Sequence, residues 1–174
     1  MSIRDNLEKV INILEKMKNY DAEGFSSQLL YMTRELDFFY SKLVEKQNDK
    51  NPSKTFYNVR PISKRPNQGQ VGYFSLRRGY PKEVYDGHYC YVLKDFGVKF
   101  VVIPLTSVKD GSTANPNFEM DIEIKDFINN NVSRLQITDI RAVDVQRIDE
   151  SREVYDVNTP RQLILDKVQN LILT

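Results

Sequence analysis

The chain carries one cysteine, one histidine and no tryptophan in 174 residues, with seven glycines and seven prolines. A single thiol, Cys90, excludes an internal disulfide framework and a multi-thiolate zinc site, and a single imidazole, His88, excludes a histidine-rich metal centre. No apolar run approaches the roughly 18 to 20 residues that a helical membrane span requires. The N-terminal run from Met1 to Glu8 lacks the basic-then-apolar layout of a secretion signal. With 40% hydrophobic and 28% charged positions and a mean hydropathy of -0.51, the composition is that of a folded soluble protein, so a cytoplasmic location with no membrane partner is expected.

The net charge is only +1, but it is unevenly placed. Residues 54 to 94 hold eight lysines and arginines against Glu83 and Asp86, whereas residues 121 to 156 hold nine acids against five bases. A local positive excess attracts polyanions such as RNA through their phosphates, in a salt-dependent way; its plain alternative is a solvated basic face.

Ile3, Leu7, Val10, Leu14 and Met17 recur at a spacing of four and three, as do Phe25, Leu29, Met32, Leu36, Phe39 and Leu43. That period predicts two amphipathic helices over residues 2–18 and 25–45, folded back as a hairpin domain at 1–46. Two helices bury too little alone, so the hairpin is expected to pack on the main domain or on another chain. Residues 47–68, with Pro52, Pro61 and Pro66, read as a linker.

From Gly69 onward the pattern changes to short runs rich in β-branched and aromatic residues: 71–76, 89–93, 99–105, 120–124, 134–137 and 142–148. Lys94 to Val98 predicts a tight hairpin between the second and third strands. The last run alternates imperfectly, which predicts a bulge or bend. Thr159 followed by Pro160 predicts a helix start with a hydroxyl cap, and Leu163, Ile164, Val168, Leu171 and Ile172 form the apolar side of the closing helix. The expected class is α+β: a small bent β-barrel over residues 69–174 with a C-terminal helix, preceded by the hairpin.

Three stretches carry a resemblance: Gly69-Gln-Val-Gly-Tyr-Phe-Ser-Leu76, Val101-Val-Ile-Pro-Leu-Thr-Ser107, and the run from Leu135 to Ile148 in which Asp139-Ile-Arg141, Asp144 and Arg147-Ile148 stand. In this order and spacing they resemble the blocks of the PemK/MazF family of toxin ribonucleases, over about residues 69 to 174. The resemblance implies an SH3-like barrel that forms a homodimer, cuts single-stranded RNA without metal or other cofactor, and is held in check by a cognate antitoxin. In that chemistry a ribose 2′-hydroxyl attacks the neighbouring phosphate, which calls for proton removal, phosphate stabilisation and protonation of the leaving oxygen.

Where the family has an Arg-Pro pair at the start of the second strand, this chain has His88-Tyr89. Two chemical readings follow. Imidazole, with an unperturbed pKa of about 6.5, can serve as general acid or base; or loss of the arginine removes a phosphate clamp and leaves a weakened or inactive enzyme. Thr106 matches the family threonine, and Ser107 beside it is an equivalent donor. Glu83 matches a loop glutamate of the family and is a candidate to orient the histidine. Arg77, Arg78 and Lys82 are candidates to hold RNA phosphates, and Tyr85 to stack on a base. Asp139, Arg141, Asp144 and Arg147 read as ion pairs that hold the sheet. The alternative function is a non-catalytic binding module on the same barrel, of the CcdB type that poisons DNA gyrase, or a regulatory protein- or nucleic-acid-binding domain.

Overall fold

The computed structural model describes residues 2–43, 62–77, 82–128 and 131–173; most of the expected linker lies outside them. The chain divides into two compact units, residues 1–48 and 49–174. In the first, α1 (Ile3–Leu14) starts at a capping box: the Ser2 hydroxyl accepts from the Asp5 N–H while the Asp5 carboxylate accepts from the Ser2 N–H. α2 (Ala22–Asp37) starts three residues earlier than its apolar period predicts, because the Asp21 carboxylate accepts from the Gly24 N–H and caps the helix there. It runs on into a π-helical stretch, Phe38–Leu43. No residue of α1 or α2 is buried. Among the described residues no helix is long and apolar enough to cross a membrane.

The second unit is a six-stranded antiparallel sheet: β1 (Val71–Ser75), β2 (Gly87–Asp95), β3 (Lys99–Ser107), β4 (Glu119–Glu123), β5 (Val132–Gln136) and β6 (Arg141–Asp144). With the helices it makes the class α+β. The strand order is β1-β2-β3-β5-β4, with β6 paired to the first half of β3. β3 therefore changes partners along its length, from β6 up to Val102 to β5 from Leu105 onward. Pro104, which has no N–H to give, sits in the gap between the two ladders. The predicted hairpin turns at Gly97, whose φ of 80° favours glycine. β6 is shorter than its run because the Asp144 carboxylate accepts from the Gln146 N–H and starts a 3-10 turn, Val145–Arg147.

Two cores lie on opposite faces of β2 and β3. Tyr91, Ile103 and Leu105 join Ile122, Leu135 and the C-terminal helix α3 (Arg161–Ile172) in one. Cys90, Val92, Phe100 and Val102 join Phe74, Val143 and Ile148 in the other. β2 is thus covered on both sides, whereas its alternation of Tyr89, Cys90 and Tyr91 suggests one. Thr159 does not cap α3: its hydroxyl accepts from the Glu123 N–H, and Pro160 takes the cap position. Of the expected apolar side of α3, Ile164 and Val168 are buried while Leu163 and Ile172 stay exposed. The stretch after β6 leans on both ends of the sheet, bridging Tyr155 to Val71, Ile148 to Phe74 and Val157 to Ile124.

Phe74 has no exposed surface and stacks edge-on against Phe100, 5.8 Å between ring centroids. Phe74→Ala should destabilise the second unit by about 3 to 5 kcal/mol, read as a lowered urea midpoint with unchanged slope.

Candidate functional site

The ladders decide which side chains share a face. Cys90 pairs with Pro104, and carrying that register two residues further sets His88 opposite Thr106. Thr106 pairs with Arg134, Arg134 with Asp121, and Gln136 with Glu119. Residues two apart on a strand share a face, so one polar row crosses four strands: His88 on β2, Thr106 on β3, Arg134 and Gln136 on β5, Asp121 and Glu119 on β4. Their neighbours Tyr89, Leu105, Leu135 and Met120 face the other way, toward the core under α3.

Within the row the hydrogen bonds have a direction. Gln136 Nε2 donates to Glu119 Oε1 at 3.1 Å and to Thr106 Oγ1 at 2.9 Å. A carboxylate only accepts, so the amide must present its NH2 there, and Thr106 Oγ1 is the acceptor. The threonine's own proton is left to be donated elsewhere. Arg134 is closed off: Nε and Nη2 grip the two oxygens of Asp121 at 2.7 and 3.0 Å, and the guanidinium also donates to Ser112. The loop 109–118 is tied down by that contact and by the Asn115 N–H, which donates to Glu119.

His88 is half-buried, and its Nδ1 is buried without a hydrogen-bond partner among the described residues. Burial holds its pKa below the ordinary value, since charging the ring there costs solvation; Arg141 acts in the same direction, and the Tyr85 backbone, Asp86 and Asp139 oppose it. The ring is therefore neutral at pH 7 and able to accept a proton. Arg141 is itself paired with Asp139 at 2.9 Å, and Asp139 also accepts from the Val84 N–H. This pair anchors the β1–β2 loop beside the histidine, as the ion-pair reading of the sequence expects. Arg147 instead donates to the carbonyls of Leu76 and Ser75.

The structure separates Thr106 from Ser107, which the sequence leaves equivalent. Ser107 pairs with Ser133 and faces away from the polar row. A cavity of about 360 Å³ at this end of the strands is lined by residues of both faces, His88 and Thr106 together with Ser107, Ser133, Tyr73, Tyr89, Phe127 and Arg152 among others. Arg77 closes the base of the β1–β2 loop in a left-handed conformation, φ 66°, with Asp86 at 61° opposite; the Leu76 N–H donates to the Asp86 carbonyl at 2.7 Å. Lys82 and Glu83 are exposed on that loop and Tyr85 is half-buried; Arg78 lies outside the described residues. Among the described residues of this loop, Arg77, Lys82, Glu83 and Tyr85 do not line the cavity. The carboxylates that act on His88 are Asp86 and Asp139, not singled out for that role by sequence. Gln136, Glu119 and Arg152 were also missed. For Gln136 the available signal was strand alternation, two residues from Arg134; for Arg152 there was none. Among the described residues no group of three or more His, Cys, Asp or Glu is placed to hold a metal ion.

Gly87, next to His88, is required by packing. A Cβ there would overlap the hydroxyl and ring of Tyr73, which lies across it. Gly87→Ala should cost about 1 to 3 kcal/mol and change the tyrosine near-UV circular dichroism as the ring is displaced. Compared with known proteins, the chain matches no protein-family model and no curated protein.

Proposed function

We propose that this chain is a metal-independent endoribonuclease toxin of the PemK/MazF type, which works as a homodimer on single-stranded RNA and is restrained by a cognate antitoxin. The observation that carries the reading is the pairing of a neutral His88 with a donor-oriented Thr106 on one face of adjacent strands. The SH3-like barrel belongs to the same proposal; it is supported by the stretch 148–157 bridging to β1 and to Ile124, which brings the two ends of the sheet onto one segment.

In this reading His88 takes the proton of a ribose 2′-hydroxyl. The 2′-oxygen bonds to phosphorus, the bond to the 5′-oxygen breaks, the leaving oxygen takes a proton from water, and a cyclic phosphate and a 5′-hydroxyl result, with His88 returning its proton to solvent. Thr106 donates to a non-bridging phosphate oxygen as charge builds there. Gln136 keeps the threonine pointed outward, and Arg77 and Lys82 hold flanking phosphates. A non-catalytic barrel of the CcdB or regulatory type is favoured by one observation: Arg134, the most buried cation of the row, is already satisfied by Asp121 and has no edge left for a phosphate.

The test is incubation of the full chain with a long unstructured RNA in EDTA and analysis of fragment ends. The expected result is cutting to cyclic-phosphate ends, about 100-fold or more slower in His88→Ala and similarly reduced in Thr106→Val. The wild-type rate should rise with pH through a midpoint below 6.5, the side on which the lowered histidine loses its proton, and then level off. His88→Ala should lack that acid limb. Cutting that survives His88→Ala would discard the base assignment, and no cutting at all would leave the binding module.

A further inference from the structure

A helix turns by about 100° per residue, so Ile3, Leu7 and Ile11 form one row along α1. They are 81%, 50% and 54% exposed. The remaining apolar side chains of α1 turn toward the start of α2. Val10, Ile13, Leu14 and Met17 line an apolar cavity of about 270 Å³ with Tyr20 and Phe25, whose rings meet at 6.2 Å between centroids. α1 thus has two apolar sides, one toward α2 and one facing out. The helix has 12 residues and none is buried, a length at which an isolated helix is marginal in water. Its capping box fixes where it starts and buries nothing, so the burial it lacks has to come from the outward row.

Area, charge and symmetry favour a second copy of this chain as its partner. The uncovered isoleucines, leucines and aromatic rings of the first unit offer on the order of 1,000 Å² of surface, against the roughly 800 Å² per partner that an interface of standard size buries. Residues 1–46 hold seven bases and eight acids, so the unit has no net field to draw a polyanion, an anionic membrane or a strongly charged protein. The row is also symmetric about its own middle. Two copies of α1 laid antiparallel across a two-fold axis would set Leu7 against Leu7 and Ile3 against Ile11. Arg4 and Glu8 lie together on one flank of the row, 3.0 Å apart. The same axis would bring the Arg4 of each copy beside the Glu8 of the other, so the flank is complementary to itself.

We propose that the Ile3–Leu7–Ile11 row of α1 is an interface between two copies of this chain, antiparallel and centred on Leu7. The contact belongs to the first unit alone. It rests neither on RNA cleavage nor on any association of the second unit.

The experiment uses the full chain, in which the only natural thiol, Cys90, has no exposed surface. Leu7→Cys and Lys9→Cys each add one accessible thiol, the first at the centre of the row and the second on the opposite side of α1. Under copper–phenanthroline oxidation Leu7→Cys should give a disulfide-linked dimer about tenfold or more faster than Lys9→Cys, because the two-fold sets its thiols against each other. In sedimentation equilibrium the wild type should associate, and the double variant Leu7→Lys, Ile11→Lys should associate about tenfold or more weakly. Lysine is a good helix former, so the variant alters the row without breaking α1. Cross-linking of Leu7→Cys no faster than that of Lys9→Cys would overturn the proposal. So would a wild-type chain that stays monomeric, which assigns the row to the chain itself or to a different partner, or association that withstands both lysines.

Discussion

The alternation of side chains along β2 and β3 is the constraint on which everything else in the second unit rests. Both strands are buried on both faces, Tyr91 and Ile103 in one core and Val92 and Val102 in the other. A slip of one residue would send every one of these side chains to the wrong core, so the register is held by the sum of both. The same alternation then places the residues at the site end of the two strands. His88 and Thr106 go to one face, Tyr89 and Ser107 to the other, because they continue strands whose interiors are already committed. The single irregularity, a register shift between Val92 and Lys94, falls toward the exposed hairpin end and leaves the site end undisturbed.

Around that frame the polar groups of the row and of the neighbouring loop answer one another. Arg134, 7% exposed, is gripped at two points by Asp121. Gln136 bridges Glu119 to Thr106 and so converts a fixed carboxylate into a fixed hydroxyl orientation. Asp139 holds Arg141 and the loop backbone at Val84 together, which sets the charges that surround His88. His88 Nδ1 is buried without a hydrogen-bond partner among the described residues, and His88 lines the cavity, where a ligand would meet it.

The first unit shows how far periodicity reaches. Its spacing foretells two helices, and the structure has them, with boundaries moved by Asp21 and Ser2 because capping hydrogen bonds, not apolar spacing, decide where a helix begins. Leu7 and Ile11 remain half exposed, at 50% and 54%. Periodicity states that a face is apolar and is silent on what covers it.

Among the described residues, the six strands, the three α-helices and the α+β class follow from local chemistry: β-branched runs, turn residues and apolar spacing act over a few residues, so they can be read along the chain. The candidates His88, Thr106 and Ser107 could be read as well, since they occupy recognisable stretches. What could not be read is which of them meet. The opposition of His88 and Thr106, the exclusion of Ser107 from that face, the hold of Gln136 on Thr106 and the arrival of Arg152 beside Tyr73 all depend on pairing between distant segments. Strand register is set by the two cores as a whole, and a contact made through register is a property of the folded sheet that no short window of residues contains.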